Sequence, residues 1–179
     1  MEKVLVFDIE TSGLKVGTHQ IVSIGLIAAN KQTFKTIDKL YVELKFDGTK
    51  YQWSKAAEDI HGLTRDYLDK NGLEHEEACE QIAGFIYNHF ETERIITLTH
   101  NGHNFDIPFL NHFLNQFDIF LNYHTLQIDS AAVGCVCLGV NRSEELFEAL
   151  GLAERTSHNA MQDAELTLES MKLLKSVFL

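Results

Sequence analysis

Four carboxylates and one histidine in this chain stand where an apolar strand gives way or a helix begins. Asp8 and Glu10 lie in VLVFDIETSGL (4–14), Asp106 in HNGHNFDIPFL (100–110), and His158 and Asp163 in SHNAMQDAELT (157–167). Alternate residues of a strand share a side, so Asp8 and Glu10 face the same way. Like charges that close repel, unless one keeps a proton or something positive sits between them. Hard divalent cations such as Mg²⁺ prefer oxygen ligands and keep several waters. Two such ions roughly 3.5 to 4 Å apart call for about four carboxylates to balance their charge. Each acid also has an innocent explanation, since Asp106 and Asp163 would complement helix N-termini and His158 would pass for a surface histidine. The joint placement of all five favours shared metal.

Holding these groups together needs a sheet and helices whose ends meet. Residues 3–9 read as a strand, apolar on both faces at 4–7 as central strands are, with the two acids directly at the end of that apolar run. QIVSIGLIAAN (20–30) and FKTIDKLYVELK (34–45) read as the next two, joined by a hairpin turn at 30–32. A helix follows over 76–90, with Ala78, Ile82, Phe85, Ile86 and His89 on one face. Residues 94–101 return as a strand, and 105–117 form a helix that tolerates Pro108 because it lies near the first turn. A short strand at 125–129 precedes a helix at 143–151, closed by Gly151. The last helix covers about 160–177, with Ala160, Ala164, Leu168, Met171 and Leu174 as its apolar stripe. Asn159 with Gln162 resembles a capping box, which starts that helix just after His158. The order predicts an α/β fold with a mixed sheet, its first hairpin antiparallel and its later strands joined by crossovers. No repeat, low-complexity tract or linker divides the chain, so one domain over 1–179 is expected.

The 179 residues include 45% hydrophobic types and a single proline, an ordinary globular composition. The net charge of -11, from 15 Lys and Arg against 26 Asp and Glu, excludes a tight, sequence-reading DNA binder with a basic face. Metal ions would have to reverse the sign locally for any polyanion to bind. No apolar run reaches the length of a membrane span, and MEKVLVFDIET has no signal-peptide architecture. Cys79, Cys135 and Cys137 form an odd set without a CxxC pair, read as reduced thiols. A cytoplasmic protein with no membrane partner is expected.

Asp8 and Glu10 in DIET, the Asn-x-x-x-Phe-Asp segment from Asn101 to Asp106, and the His-x-x-x-x-Asp segment from His158 to Asp163 resemble the three exonuclease motifs of the DEDDh (DnaQ-like) family. That family includes the proofreading subunit of bacterial DNA polymerase, ribonuclease T and oligoribonuclease. The resemblance covers essentially the whole chain, in the right order, with all five defining residues present. It implies a ribonuclease H-like fold with a mixed central sheet of about five strands, flanked by helices. It also implies 3′-to-5′ hydrolysis of single-stranded ends to 5′-mononucleotides, with two divalent ions, Mg²⁺ or Mn²⁺, as cofactors. By position, Asp8 would bridge both ions, Glu10 and Asp163 would complete the first site, and Asp106 would support the second. His158 would be the general base, a task that suits an ordinary imidazole.

The resemblance further implies substrate contacts at Thr11 and Leu14, the latter stacking on a base without sequence preference; a core contact is the rival account of Leu14. In DIHGLT (59–64), His61 matches a position bordering the substrate groove, with a buried or capping histidine as the rival. Phe105 is a candidate base platform or a core residue. Lys15, Arg65 and Arg155 are candidate phosphate contacts or merely solvated charges. The partner implied is the 3′ end of single-stranded DNA, with RNA as an alternative because the 2′-OH contacts are not legible here. A stand-alone proofreader or repair nuclease, an RNA-trimming exoribonuclease and an enzyme with a polymerase or replication partner all fit. From other classes, a non-catalytic nucleic-acid or partner-binding module on the same fold and a generic acidic scaffold stay open, although the intact set of five positions speaks against them.

Overall fold

The structure is a computed structural model and describes residues 2–91, 93–140, 142–152 and 158–178. Strands β1 (Lys3–Thr11), β2 (Ile21–Asn30) and β3 (Thr36–Glu43) pair antiparallel in succession. Helices α1 (Lys55–His61), α2 (Arg65–Asn71) and α3 (His75–Phe90) lead to β4 (Thr97–Thr99), and α4 (Asp106–Asn115) leads to β5 (Ile128–Asp129). β4 and β5 add in parallel, giving the order β3-β2-β1-β4-β5 with β1 at the centre. Helices α5 (Ser130–Leu138), α6 (Ser143–Ala149) and α7 (Ala160–Phe178) complete the described chain. The mixed sheet and antiparallel first hairpin are as expected. Among the described residues, no helix is long and apolar enough to cross a membrane.

The two faces of β1 explain the layering. Leu5, Phe7 and Ile9 are buried with Ile82 and Ile86 of α3 and Phe109 and Leu110 of α4. Val4 and Val6, on the opposite face, are buried with Ile27 and Ala29 of β2 and with Ala164, Leu168, Met171 and Leu174 of α7. Each large side chain so buried contributes about 1.5–3 kcal/mol. All five members of the expected α7 stripe are buried, and Asn159 starts the helix where expected. Its Oδ1 accepts from the amides of Met161 and Gln162, both at 3.1 Å.

Several boundaries differ from the sequence expectation. β1 continues to Thr11 rather than ending at residue 9, so Glu10 as well as Asp8 stands inside the strand, the two paired across to Ser23 and Gly25. β3 starts only at Thr36, since Phe34 adopts a left-handed φ of 53° that no strand accommodates. β4 is three residues long because Ile95 makes only an isolated bridge, to Tyr123. Helices α1, α2 and α5 were not expected. The first two each bury a single side chain, His61 and Leu68, so no apolar stripe marks them, and their signal is in the caps: Ser54 and Gly62, Thr64 and Gly72. In α5, SAAVGCVCL is apolar all round, so only Asp129 as its N-cap and Gly139 after it mark its limits.

One contact fixes α7 against the sheet. A Cβ at Gly25 would stand 2.5 Å from Met161 Cα and 2.6 Å from the Ala160 carbonyl oxygen, so the helix begins directly on β2, beside Asp8. Gly25→Ala is expected to destabilise the fold by about 1–3 kcal/mol, the scale of overpacking, and to push the start of α7 away from β1. Denaturant unfolding checks this; unchanged stability would show that the helix is not held at this point.

Candidate active site

The strand face that buries Val4 and Val6 carries Asp8 and Glu10 one and two steps further on. There the apolar cover ends and α7 begins. Asp163, one turn into α7, is 2% exposed, and Glu10 is 8% exposed. Ligand atoms of Glu10, His158 and Asp163 all lie within 4.8 Å of one another, with His158 Nδ1 3.7 Å from Asp163 Oδ2. These three share a cleft of about 580 Å³ with Asp8 and Asp106. It opens past the carboxyl ends of β1 and β4, where open α/β sheets take their ligands.

Asp106 reaches the cleft by substituting for a strand. The β1–β4 ladder pairs only Leu5 with Thr97 and Val6 with Leu98, so the Ile9 amide has no β4 partner. It donates to Asp106 Oδ1 at 3.2 Å, which ties the first residue of α4 to β1. The turn between β4 and α4 must be tight for this. A Cβ at Gly102 would stand 2.5 Å from Thr99 Cβ and 2.9 Å from Asp106 Oδ2. The turn is braced from β5, where Asp129 Oδ1 accepts from the Asn101 amide at 3.2 Å.

Burial pushes the Asp106 carboxyl up from 3.8 to about 7, with the Asp129 charge adding to the rise and the amides of Ile9 and Asp106 itself opposing it. An acid whose folded pKa is raised releases its proton at a cost to folding, so stability falls as pH rises between these values and levels off above the higher one. With chelator present, the melting temperature of the wild type is therefore expected to fall from about pH 4 to pH 7 more steeply than that of Asp106→Asn. Parallel profiles would mean that Asp106 is ionised without cost.

The donor set fits a divalent cation. Two buried carboxylates and an imidazole converge, with three more carboxylates, Asp8, Asp106 and Glu144, lining the same cleft. Oxygen ligands suit Mg²⁺ and Mn²⁺, whereas an imidazole donor also suits Zn²⁺.

The expected substrate contacts also fall on this cleft, though not all as anticipated. Thr11 is buried, its hydroxyl donating to the Gly13 carbonyl at 2.8 Å. Leu14 is 82% exposed, which overturns the core reading. His61 is buried at the end of α1, which lowers its pKa. Its Nδ1 accepts from the Leu63 amide at 3.0 Å, while Nε2 has no hydrogen-bond partner among the described residues. Phe105 is half-buried and packs on Phe109, ring centroids 5.0 Å apart, yet it also lines the cleft. Lys15 and Arg65 do not line it; Arg65 lies over the Phe46 ring instead, at 5.0 Å. Arg155 is outside the described residues. Several lining residues had no sequence signal, among them Ile60, on the unexpected helix α1, and Arg142 and Glu144 at the start of α6.

A family model described as Exonuclease (RNase_T) matches residues 5–171. The chain belongs to this exonuclease family. Its class is the one that the three motifs resemble, the DEDDh 3′-to-5′ exonucleases, which hydrolyse phosphodiester bonds. The fold is similar to that of E. coli exonuclease I. A zinc-bound complex of that protein with single-stranded DNA superposes with a TM-score of 0.80 at 22% identity, over 99% of this chain and 41% of that one. A complex with a dA16 oligonucleotide gives 0.80 at 21%, over 98% and 41%, and a product-bound structure 0.77 at 22%, over 98% and 44%. The exonuclease family chain thus spans about two-fifths of the exonuclease I chains, and this likeness carries its ribonuclease H-like fold. Among curated proteins no sequence match was found.

Proposed function

We propose that this chain forms one exonuclease domain that removes nucleotides one at a time from the 3′ end of single-stranded DNA, using two divalent ions, Mg²⁺ or Mn²⁺. The observation that carries the reading is the convergence of Glu10, His158 and Asp163 within 4.8 Å, in one cleft with Asp8 and Asp106. Asp8, Glu10, Asp106 and Asp163 would hold the ions. When bound, these ions supply the positive charge that the attacking and leaving oxygens need. His158, in the loop ahead of α7, takes a proton from the attacking water. The water oxygen bonds to phosphorus as the P–O3′ bond breaks, a nucleoside 5′-monophosphate leaves, and the shortened strand gains a proton on its 3′ oxygen. Leu14 and Ile60, exposed at 82% and 56%, present an apolar lip on which the terminal base stacks whatever its identity. Thr11, His61 and Phe105 line the same cleft.

DNA is favoured by the likeness to single-stranded DNA complexes. Cys79, Cys135 and Cys137, none of them in a disulfide, fit action in a reducing compartment, the cytoplasm. A 5′-labelled single strand, as DNA and as matched RNA, tests the reading with and without metal. A ladder shortening from the 3′ end with Mg²⁺ or Mn²⁺ only, faster on DNA, is expected. A faster RNA ladder would make the chain an RNA-trimming enzyme. Neither a ladder nor a metal-induced rise in melting temperature on either strand would leave the fold without this activity.

A further inference from the structure

Among the described residues that line the cleft are five carboxylates, the four described above and Glu144, and a single Lys or Arg, Arg142. Arg142 stands at the cleft margin just ahead of α6, exposed and with extended backbone, φ −128° and ψ 154°. Its guanidinium caps no helix amide and makes no ion pair with a described residue. Its root is nevertheless anchored. Leu146 and Phe147, one turn further on, are buried, and the Phe147 ring lies against His100 at 6.1 Å, on the turn that carries Asp106. An exposed but rooted arginine at the margin of this cleft has the chemistry of a phosphate clamp. The guanidinium is always charged, and its planar fork matches two phosphate oxygens.

We propose that Arg142 binds an internucleotide phosphate of the single strand and determines how firmly the strand is held, rather than the rate of bond breaking. The assignment rests on the nuclease reading above and deepens it: the group recognised is the strand's backbone, not its bases. As the one Lys or Arg among the described lining residues, it carries a measurable share of the electrostatic hold.

Wild type, Arg142→Ala and Arg142→Lys are compared by kcat and KM on a 5′-labelled single-stranded DNA at several salt concentrations. Fluorescence anisotropy of the same oligonucleotide with Ca²⁺, which takes oxygen ligands in a looser geometry, in place of Mg²⁺ gives binding without turnover. Arg142→Ala is expected to raise KM about tenfold, in keeping with loss of a charge-assisted contact. Its log–log dependence of affinity on salt should be shallower by ~0.7, the value for one phosphate on a single strand. Arg142→Lys should recover the salt dependence and part of the affinity, and both variants should keep the wild-type melting shift with Mg²⁺. A KM and salt dependence in Arg142→Ala equal to wild type, or a loss that falls on kcat alone, overturns the proposal while leaving the nuclease reading in place. A wild type that binds but never cleaves removes the nuclease reading and leaves the anisotropy comparison to decide on Arg142. A wild type that does neither removes both.

Discussion

Asp8→Asn is expected to abolish hydrolysis, with a loss of at least about 10³-fold, the scale of removing a principal stabiliser of transition-state charge. Asp8 lies on the central strand of the sheet, two residues from Glu10 on the same face and opposite Gly25. No neighbouring strand can take over its position. In chelator the variant should melt at the wild-type temperature or above it, because one member of a cluster of like charges is gone. In Mg²⁺ it should gain less than the wild type, since a ligand is missing. Activity loss combined with stable apo protein separates a metal ligand from a structural residue, since removal of a structural group lowers apo stability as well. A variant with a tenth or more of the wild-type rate would take Asp8 out of the metal centre. A marked fall in apo melting temperature would make it a fold determinant instead.

His158→Ala is the second large effect, a loss of about 10² to 10⁴ in kcat, the range for removing a general base. The geometry makes this more than a routine expectation. His158 Nδ1 stands 3.7 Å from Asp163 Oδ2, and the histidine belongs to the same converging trio as Glu10 and Asp163, so it has two conceivable duties. As base it works on the water, and its loss leaves the four carboxylates to hold the ions. As ligand it holds metal, and its loss weakens binding. The base assignment predicts that the Mg²⁺-induced melting shift of His158→Ala matches the wild type while turnover collapses. Added free imidazole should restore part of the rate. A lost melting shift with no imidazole rescue would transfer His158 to the ligands.

What could be read along the chain was whatever contiguous residues encode. The period of two places Asp8 and Glu10 on one face wherever the strand ends, so the strand's extension to Thr11 moved a boundary without moving the acids. The i, i+4 stripe from Ala160 to Leu174 and the Asn159 cap likewise set the start and inward face of α7, because helix geometry and capping act within one or two turns. The order of the three motifs carried the family. Helices α1 and α2 were illegible because each turns a single side chain inward, His61 and Leu68, and α5 because its apolar residues surround it completely. Only the tertiary structure brings residues 97 positions apart together at Ile9 and Asp106, where a strand that stops early leaves an amide for a helix to claim. It alone presses Met161 onto Gly25, turns Leu14 outward, sets Arg65 on Phe46 and leaves Arg142 at the margin of the cleft. Those distances depend on which side chains fill the space between elements, and close packing is a property of the assembled core rather than of any segment in it.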